Sequence, residues 1–197
     1  MNSSKKTLSI VIPVYNEEKT IGTVLSNLAV LNIPNVIKEI IVVDDGSGDR
    51  SKKIVEGLKS KVKGLRFISH EKNRGKGAAV QTGLEAATGD VLMVQDADLE
   101  YDTNDIPRLL KPILDNKANV VYGTRLRRMP NVKKEEKTWR FLLHYIGNRW
   151  LSLVTSILYF NWVTDMETCY KLFSKESFKG ITLKSKTFDF EPEITVK

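Results

Sequence analysis

The sequence predicts a single α/β domain built on a mainly parallel sheet flanked by helices. Three observations carry that expectation. Short apolar runs alternate with helical patterns over the first two-thirds of the chain, the signature of βαβ units. A length of 197 residues suits one domain with a sizeable core. Chemistry-bearing residues recur just after the apolar runs, where open α/β sheets bind ligands.

The elements follow in order. Leu8-Ser9-Ile10-Val11-Ile12-Pro13 reads as the first strand. Asn16-Glu17-Glu18 reads as a helix start, with Asn16 as N-cap and acids in the first turn. Ile21, Val24, Leu25 and Leu28 then mark one helical face. Ile37 to Val43 is the second strand, and the Asp44-to-Asp49 turn leads into a helix bearing Ile54, Val55 and Leu58. Leu65-Arg66-Phe67-Ile68 is the third strand. Gly75-Lys76-Gly77 opens a helix carrying Ala78, Ala79, Val80 and Leu84, ended by Gly89. Val91 to Val94 is a buried fourth strand, Asp105 to Leu114 a helix interrupted by Pro107 and Pro112, and Asn119 to Gly123 a fifth strand. Right-handed crossovers place the loops after these strands on one rim. The motifs at Tyr15, Asp44, Asp96 and Gly123 should therefore converge.

Composition narrows the function. Cys169 is the single cysteine, so no internal disulfide forms and a reducing compartment is expected. Residues 1–7 read as a polar lead-in without an apolar signal core. No run reaches the roughly 18 apolar residues of a membrane span. The nearest, Trp150 to Phe160, is interrupted by Ser152, Thr155 and Ser156. Net charge is +7, from 31 Lys and Arg against 24 Asp and Glu, which favours an anionic partner. The basic residues cluster after the fifth strand without a recognition-helix or stacking-sheet pattern, so nucleic acid is not expected.

The strongest local signal is Asp96-Ala97-Asp98, one residue past the fourth strand, with Glu100 beyond it. Acids at this spacing suit a hard cation, Mg²⁺ or Mn²⁺, of the kind usually shared with phosphates. Solvated loop acids are the plain alternative. Gly75-Lys76-Gly77 lets backbone approach a ligand closely and adds a cation, although a simple glycine turn explains it equally well. Asp45 can accept from a base N–H or cap a turn.

Taken in order, Pro13-Val14-Tyr15-Asn16-Glu17-Glu18, Val43-Asp44-Asp45-Gly46-Ser47, Asn73-Arg74-Gly75-Lys76-Gly77, Gln95-Asp96-Ala97-Asp98-Leu99-Glu100 and Gly123-Thr124-Arg125 resemble the family-two glycosyltransferases with a Rossmann-like GT-A fold. Thr164 to Lys171 and Phe190-Glu191-Pro192-Glu193 look most like the dolichyl-phosphate mannosyltransferase and polyprenyl-phosphate glycosyltransferase branch. The resemblance covers about residues 8–197 and implies a metal-dependent, inverting transfer from a nucleoside diphosphate sugar, of the GDP-mannose or UDP-glucose type, to a polyprenyl or dolichyl phosphate. It implies that Pro13, Tyr15, Glu17, Val43, Asp45, Lys76, Asp96 and Ala97 surround the nucleotide sugar. Asp98 and Glu100 are implied as direct metal ligands, with Asp96 on the ribose or on the metal. Arg125 is implied to face the phosphates, and Asp165 and Glu167 to stand where relatives carry a base or an acceptor contact.

The acceptor reading has a physical side. A sugar hydroxyl needs a general base, whereas a lipid phosphate is already ionised. Such an acceptor asks instead for cations and a path to a membrane. Arg125, Arg127, Arg128, Lys133, Lys134, Lys137 and Arg140 are followed by an aromatic, apolar stretch from Trp139 to Trp162 that holds all three tryptophans. That pairing suits peripheral contact at the inner, cytoplasmic face of a membrane. A helix packed in the core is the alternative. Residues 8–125 are expected to form the nucleotide-sugar half and 126–197 the acceptor half, with a C-terminal end that in relatives continues further. A transferase for a hydroxyl acceptor and a non-catalytic nucleotide-binding module are the competing functions. His70 and His144 are expected to be structural.

Overall fold

The computed structural model describes residues 5–124, 139–166, 168–187 and 189–197. Among the described residues six strands form one sheet in the order β3-β2-β1-β4-β6-β5: β1 (Lys6–Val14), β2 (Val36–Asp44), β3 (Leu65–Ser69), β4 (Val91–Val94), β5 (Val120–Tyr122) and β6 (Lys171–Ser174). The β1–β2, β2–β3 and β1–β4 pairs are parallel, and β6 runs antiparallel between β4 and β5. The expected mainly parallel sheet is therefore present, with one strand the sequence did not announce. β6 is only four residues long and begins with a lysine, so it carries no apolar run to recognise.

The sheet alternates its side chains between two helical layers, as pleated strands require. Leu8, Ile10, Ile12, Ile40, Val42, Val91 and Met93 face a core shared with α1 (Ile21–Val30), α2 (Ser51–Leu58) and α4 (Ile106–Leu114). Val11, Leu92 and Val94 face the other core, completed by Val80 and Leu84 of α3 (Lys76–Ala86) and by Phe190 and Ile194 of α7 (Phe190–Val196). Two short-range expectations need correction. Asn16 does not cap α1: its φ of 56° is left-handed, outside the extended geometry of an N-cap, and the helix begins only at Ile21. Pro107 and Pro112 do not interrupt α4: Pro107 occupies the first turn, where no helical N–H is lost, and the helix runs through Pro112 to Leu114, although that proline has no N–H to give the Arg108 carbonyl.

Beyond the sheet lie α5 (Trp139–Leu158) and the one-turn α6 (Lys175–Phe178). α5 is inside out. Asn148, Ser152, Thr155 and Ser156 share one helical face and are 3–8% exposed. Ile146, Trp150, Leu153 and Ile157 share the opposite face and are 47–64% exposed. The helix closes with Phe160 in a left-handed conformation (φ 51°) and almost wholly exposed, a position usually given to glycine. From residue 145 to 162 the core-packing alternative is not what the fold adopts.

Candidate active site at the strand C-terminal rim

Parallel pairing puts the ends of β1, β2, β3 and β4 on one rim. β5 runs in the same sense, being antiparallel to β6, and β6 starts there at Lys171. The loops after Val14, Asp44, Ser69, Val94 and Tyr122 thus share that rim, as the alternation of strands and helices suggested. A surface groove of about 1160 Å³ lies at the opposite end of the sheet beside Lys6, Asp90 and Lys175, away from the motif loops.

The first two motif loops are bonded to each other. Asn16 N–H donates to Ser47 Oγ (3.0 Å), and Gly48 N–H donates to Asn16 Oδ1 (2.9 Å). Glu17 N–H donates to Ser51 Oγ (2.8 Å), and Glu18 N–H to Asp49 Oδ2 (3.0 Å). The Glu17 carboxylate accepts from Thr20 Oγ (2.6 Å). The Glu18 carboxylate is held below its usual range, chiefly by the Arg50 guanidinium at 3.1 Å. Tyr15 stands half exposed just above this lattice. Pro13 and Val43 are buried opposite each other in the β1–β2 ladder, one step below the rim.

Asp45 is 2% exposed and already engaged. Its carboxylate lies 2.6 Å from His70 Nδ1 and accepts from Arg74 N–H (3.0 and 3.1 Å) and Gly75 N–H (2.8 Å). His70 Nε2 lies 3.0 Å from Thr82 Oγ, so this histidine is a buried strut, as expected. Asp44 keeps one buried carboxylate oxygen with no hydrogen-bond partner among the described residues.

The glycines of the Gly75-Lys76-Gly77 loop receive the chain's own backbone. A Cβ at Gly75 would collide with the Lys186 carbonyl, and one at Gly77 would lie 2.5 Å from the Ser185 carbonyl. Ala78 N–H donates to Lys186 O (3.2 Å) and Gln81 Nε2 to Ser185 O (2.7 Å). Both the close-approach reading and the glycine-turn reading of the sequence missed this partner, because it lies about a hundred residues downstream.

Lys76 turns toward the acids. Its Nζ is 2.8 Å from Asp96 Oδ1 and 3.0 Å from Glu191 Oε1. Burial disfavours its charge, but the Asp96 and Glu191 carboxylates overcome that and hold its pKa above the ordinary lysine value. Asp98 Oδ1 accepts from Glu100 N–H (3.0 Å), a short loop bond that fixes its direction. Ala97 is buried between the two acids and packs in the sheet core. Among the described residues no three of His, Cys, Asp and Glu gather as a ready metal cage. The donors nonetheless fit Mg²⁺ or Mn²⁺, which keep waters and take one or two carboxylates together with substrate phosphates.

Ahead of β6, Asp165 is 1% exposed and accepts from Asn148 Nδ2 (2.8 Å), which pins α5 to the segment leading into β6. Met166 N–H donates to Ser152 Oγ (3.1 Å). Lys171 is buried beside this segment and donates to the Met166 (3.0 Å) and Thr168 (2.5 Å) carbonyls. Burial pulls its pKa down to about 8, against the pull of Glu191 and Asp165. Between α5 and residues 162–164 runs an apolar groove of about 400 Å³, lined by Trp150, Leu153, Trp162 and Val163, with Arg149 among its residues. Arg125, Glu167 and the basic run 125–138 lie outside the described residues. Glu191, Lys171 and Arg149 were not singled out from the sequence. The Phe-Glu-Pro-Glu motif contained the first of them and the Thr164-to-Lys171 motif the second.

These features define an α/β domain with an Asp-x-Asp loop at the C-terminal rim of its sheet and a helix with an exposed apolar face beside it. Residues 9–182 match glycosyl transferase family 2, and the chain belongs to that family. It is 32% identical, over 93% of its length and 76% of the relative's, to the UDP-N-acetylglucosamine–dolichyl-phosphate N-acetylglucosaminyltransferase of Methanococcus voltae. It is 30% identical to the human dolichyl-phosphate β-glucosyltransferase, over 96% of the chain and 63% of that protein. Glucosyl-3-phosphoglycerate synthase of Mycobacterium tuberculosis, solved with Mn²⁺, UDP and glucosyl-3-phosphoglycerate, shares the fold, with a TM-score of 0.69 at 23% identity over 96% of this chain and 64% of that one. The chain thus spans about three-quarters of the archaeal relative and less than two-thirds of the other two. The family expected from the motif order is the family found.

Proposed function

We propose that the domain transfers a sugar from a nucleoside diphosphate sugar to a polyprenyl phosphate at a membrane surface, the chemistry that the names of the archaeal and human relatives carry. The observation that carries this reading is α5, which buries its polar face and offers its apolar face outward, next to an apolar groove and joined to the rim through Asn148 and Asp165. A helix with that pattern suits an interface in which lipid replaces core. No helix among the described residues is long and apolar enough to cross a membrane. The contact proposed is peripheral, on the cytoplasmic side.

The chain's own groups divide the task. Tyr15 and the bonded Glu17 loop border the nucleoside, over a floor of Pro13 and Val43. Asp45 shapes the 70–75 loop through those bonds and stands at the edge of the base site. Asp98, with Asp96 beside it and Glu100 following, is assigned to the diphosphate, and so is Arg125, whose own position lies outside the described residues. A divalent cation bound there would stabilise the leaving nucleoside diphosphate as a Lewis acid, and Mn²⁺ in the mycobacterial structure supports that choice. One acceptor phosphate oxygen attacks the anomeric carbon in line, the bond from that carbon to the diphosphate oxygen breaks with its electron pair, and the configuration inverts. The phosphate is already ionised and needs no base. The burial of Asp165 agrees, since a carboxylate committed to Asn148 anchors α5 better than it collects a proton.

The test is a donor screen with Mn²⁺ or Mg²⁺. UDP-N-acetylglucosamine, UDP-glucose, UDP-galactose and GDP-mannose are each offered with and without a short polyprenyl phosphate, and nucleoside diphosphate release is followed. Release that needs both lipid phosphate and cation, and disappears in Asp98→Ala, is the expected result. Release without lipid would shift the reading to a hydroxyl acceptor, and nucleotide binding without release to a binding module.

A further inference from the structure

We infer that Glu191 is a positioning residue of the donor site, acting through Lys76 to hold Asp96 in place. This rests on the reading of the rim as a donor site and adds to it a division of labour between the two acids of the Asp-x-Asp loop.

The geometry is a clamp of two carboxylates on one ammonium. Lys76 Nζ lies 2.8 Å from Asp96 and 3.0 Å from Glu191, and all three side chains are at most 18% exposed. The Phe190 ring lies 5.6 Å from the same nitrogen and closes another side. A flexible lysine with a single partner would sweep several rotamers, but a second carboxylate fixes where the ammonium sits and therefore where Asp96 points. Glu191 is itself held. α7 buries Phe190 and Ile194 in the core, and Glu193 accepts from Lys184 N–H (2.9 and 3.0 Å) and Ser185 N–H (2.8 Å). The same segment presses its 185–187 backbone against Gly75 and Gly77, at the start of the helix that carries Lys76. The clamp is thus assembled from distant parts of the chain and stands on the rim through α3 and β4.

The consequence is electrostatic. Asp96 already has a cation, so a divalent ion competes with Lys76 for it, and Asp98 is the acid that meets the ion first. Removing Lys76 leaves Asp96 and Glu191 close together without that cation, an arrangement that draws in a metal ion. Removing the charge of Glu191 has the opposite effect.

The experiment titrates Mn²⁺ alone, by the loss of its free EPR signal, into the wild-type protein, Glu191→Gln, Lys76→Met and the double variant, and then measures UDP and GDP uptake and donor turnover. Lys76→Met should bind Mn²⁺ roughly tenfold tighter and Glu191→Gln several-fold weaker, the scale of one partly buried charge contact. The double variant, with the same summed charge as wild type, should regain the Mn²⁺ affinity but keep a kcat at least tenfold low, because Asp96 has lost its anchor. Glu193→Gln is the control: it loosens the same segment and should lower the melting temperature without shifting Mn²⁺ affinity. Mn²⁺ affinities within twofold of wild type in Glu191→Gln, or the same shift in Glu193→Gln, would overturn the proposal, and so would full turnover in the double variant. Glu191→Gln is isosteric and carries the test alone if Lys76→Met does not fold. A wild-type protein that takes up neither UDP nor GDP with Mn²⁺ would overturn the donor-site reading itself, a result distinct from all of these.

Discussion

Helices α1 and α5 are both rich in apolar residues and meet opposite fates. α1 buries Ile21, Val24, Leu25 and Leu28 against the sheet, with its polar residues outside. α5 buries Asn148, Ser152, Thr155 and Ser156 and leaves Trp150, Leu153 and Ile157 in the open. The difference lies in what each helix meets. α1 meets an apolar sheet face made by Leu8, Ile10 and Ile40. α5 meets a polar segment whose Asp165, Met166 and Val163 backbone and side-chain groups need partners, and it supplies them. A helix satisfies first the polar groups that would otherwise be buried without bonds, since each such loss costs more than an exposed leucine. The apolar residues of α1 thus work for folding, and those of α5 remain available for binding.

The largest expected effect tests the α1 side. Leu25→Ala should destabilise the fold by about 2–5 kcal/mol, because Leu25 is completely buried and the surrounding sheet can collapse only partly. Urea denaturation reads the shift directly. Asn148→Ala should come next. It removes the donor to a buried carboxylate oxygen and should cost about 1–3 kcal/mol, visible as a lower melting temperature. A stability unchanged within error would mean that the polar face of α5 does not dock it, and the comparison of the two helices would fail.

Acid should weaken the sheet half by a smaller amount. Glu39 of β2 accepts from Ser9 Oγ (2.5 Å), Arg66 (2.7 Å) and Thr88 (2.9 Å). Burial opposes its charge, but these bonds outweigh it and pull the carboxyl pKa down to about 2. A depressed folded pKa means that the unfolded chain binds the proton first as pH falls. The stability Glu39 adds is therefore complete above the ordinary glutamate value of about 4.5 and is lost between there and about 2. Glu39→Gln should flatten that part of the stability–pH curve by on the order of 1 kcal/mol, discounted for the solvent at its rim.

What the sequence made legible follows the range of the cause. Strands β1 to β4 and helices α1 to α3 are written locally, in apolar periodicity and turn residues, and the convergence of their loops follows from parallel pairing alone. The partners of those loops are written elsewhere in the chain. Asp45 is spent on His70 and the 74–75 backbone, Gly75 and Gly77 on residues 185–187, and Lys76 on Glu191. None of these pairs shares a window, so only the folded chain displays them. The inverted face of α5 was in the sequence, as serines, a threonine and an asparagine at helical spacing among aromatics. What could not be read was which face the domain would choose. That choice depended on Asp165 and on β6, whose buried lysine hid it from any search for apolar strands.

The smallest effect on folding sharpens the comparison most. Trp150, Ile157 and Trp162 are 63–76% exposed, so replacing all three by serine removes little apolar area from the core. Each change should alter stability by less than about 0.5 kcal/mol, as surface substitutions do. Binding to vesicles should respond very differently. An interfacial helix holds lipid through the apolar area it buries there, at roughly 25 cal/mol per Å², and two indoles and an isoleucine supply much of that area. The triple variant should lose at least tenfold in partition onto vesicles containing anionic lipid, measured by co-sedimentation, with its melting temperature unchanged. Donor turnover with a water-soluble, short-chain polyprenyl phosphate should survive better than turnover with a long-chain acceptor held in the bilayer. A variant that melts early would show that the exposed face of α5 serves the fold after all. A variant that keeps both stability and vesicle binding would place the membrane contact elsewhere, and the outward face of α5 would lose its proposed role.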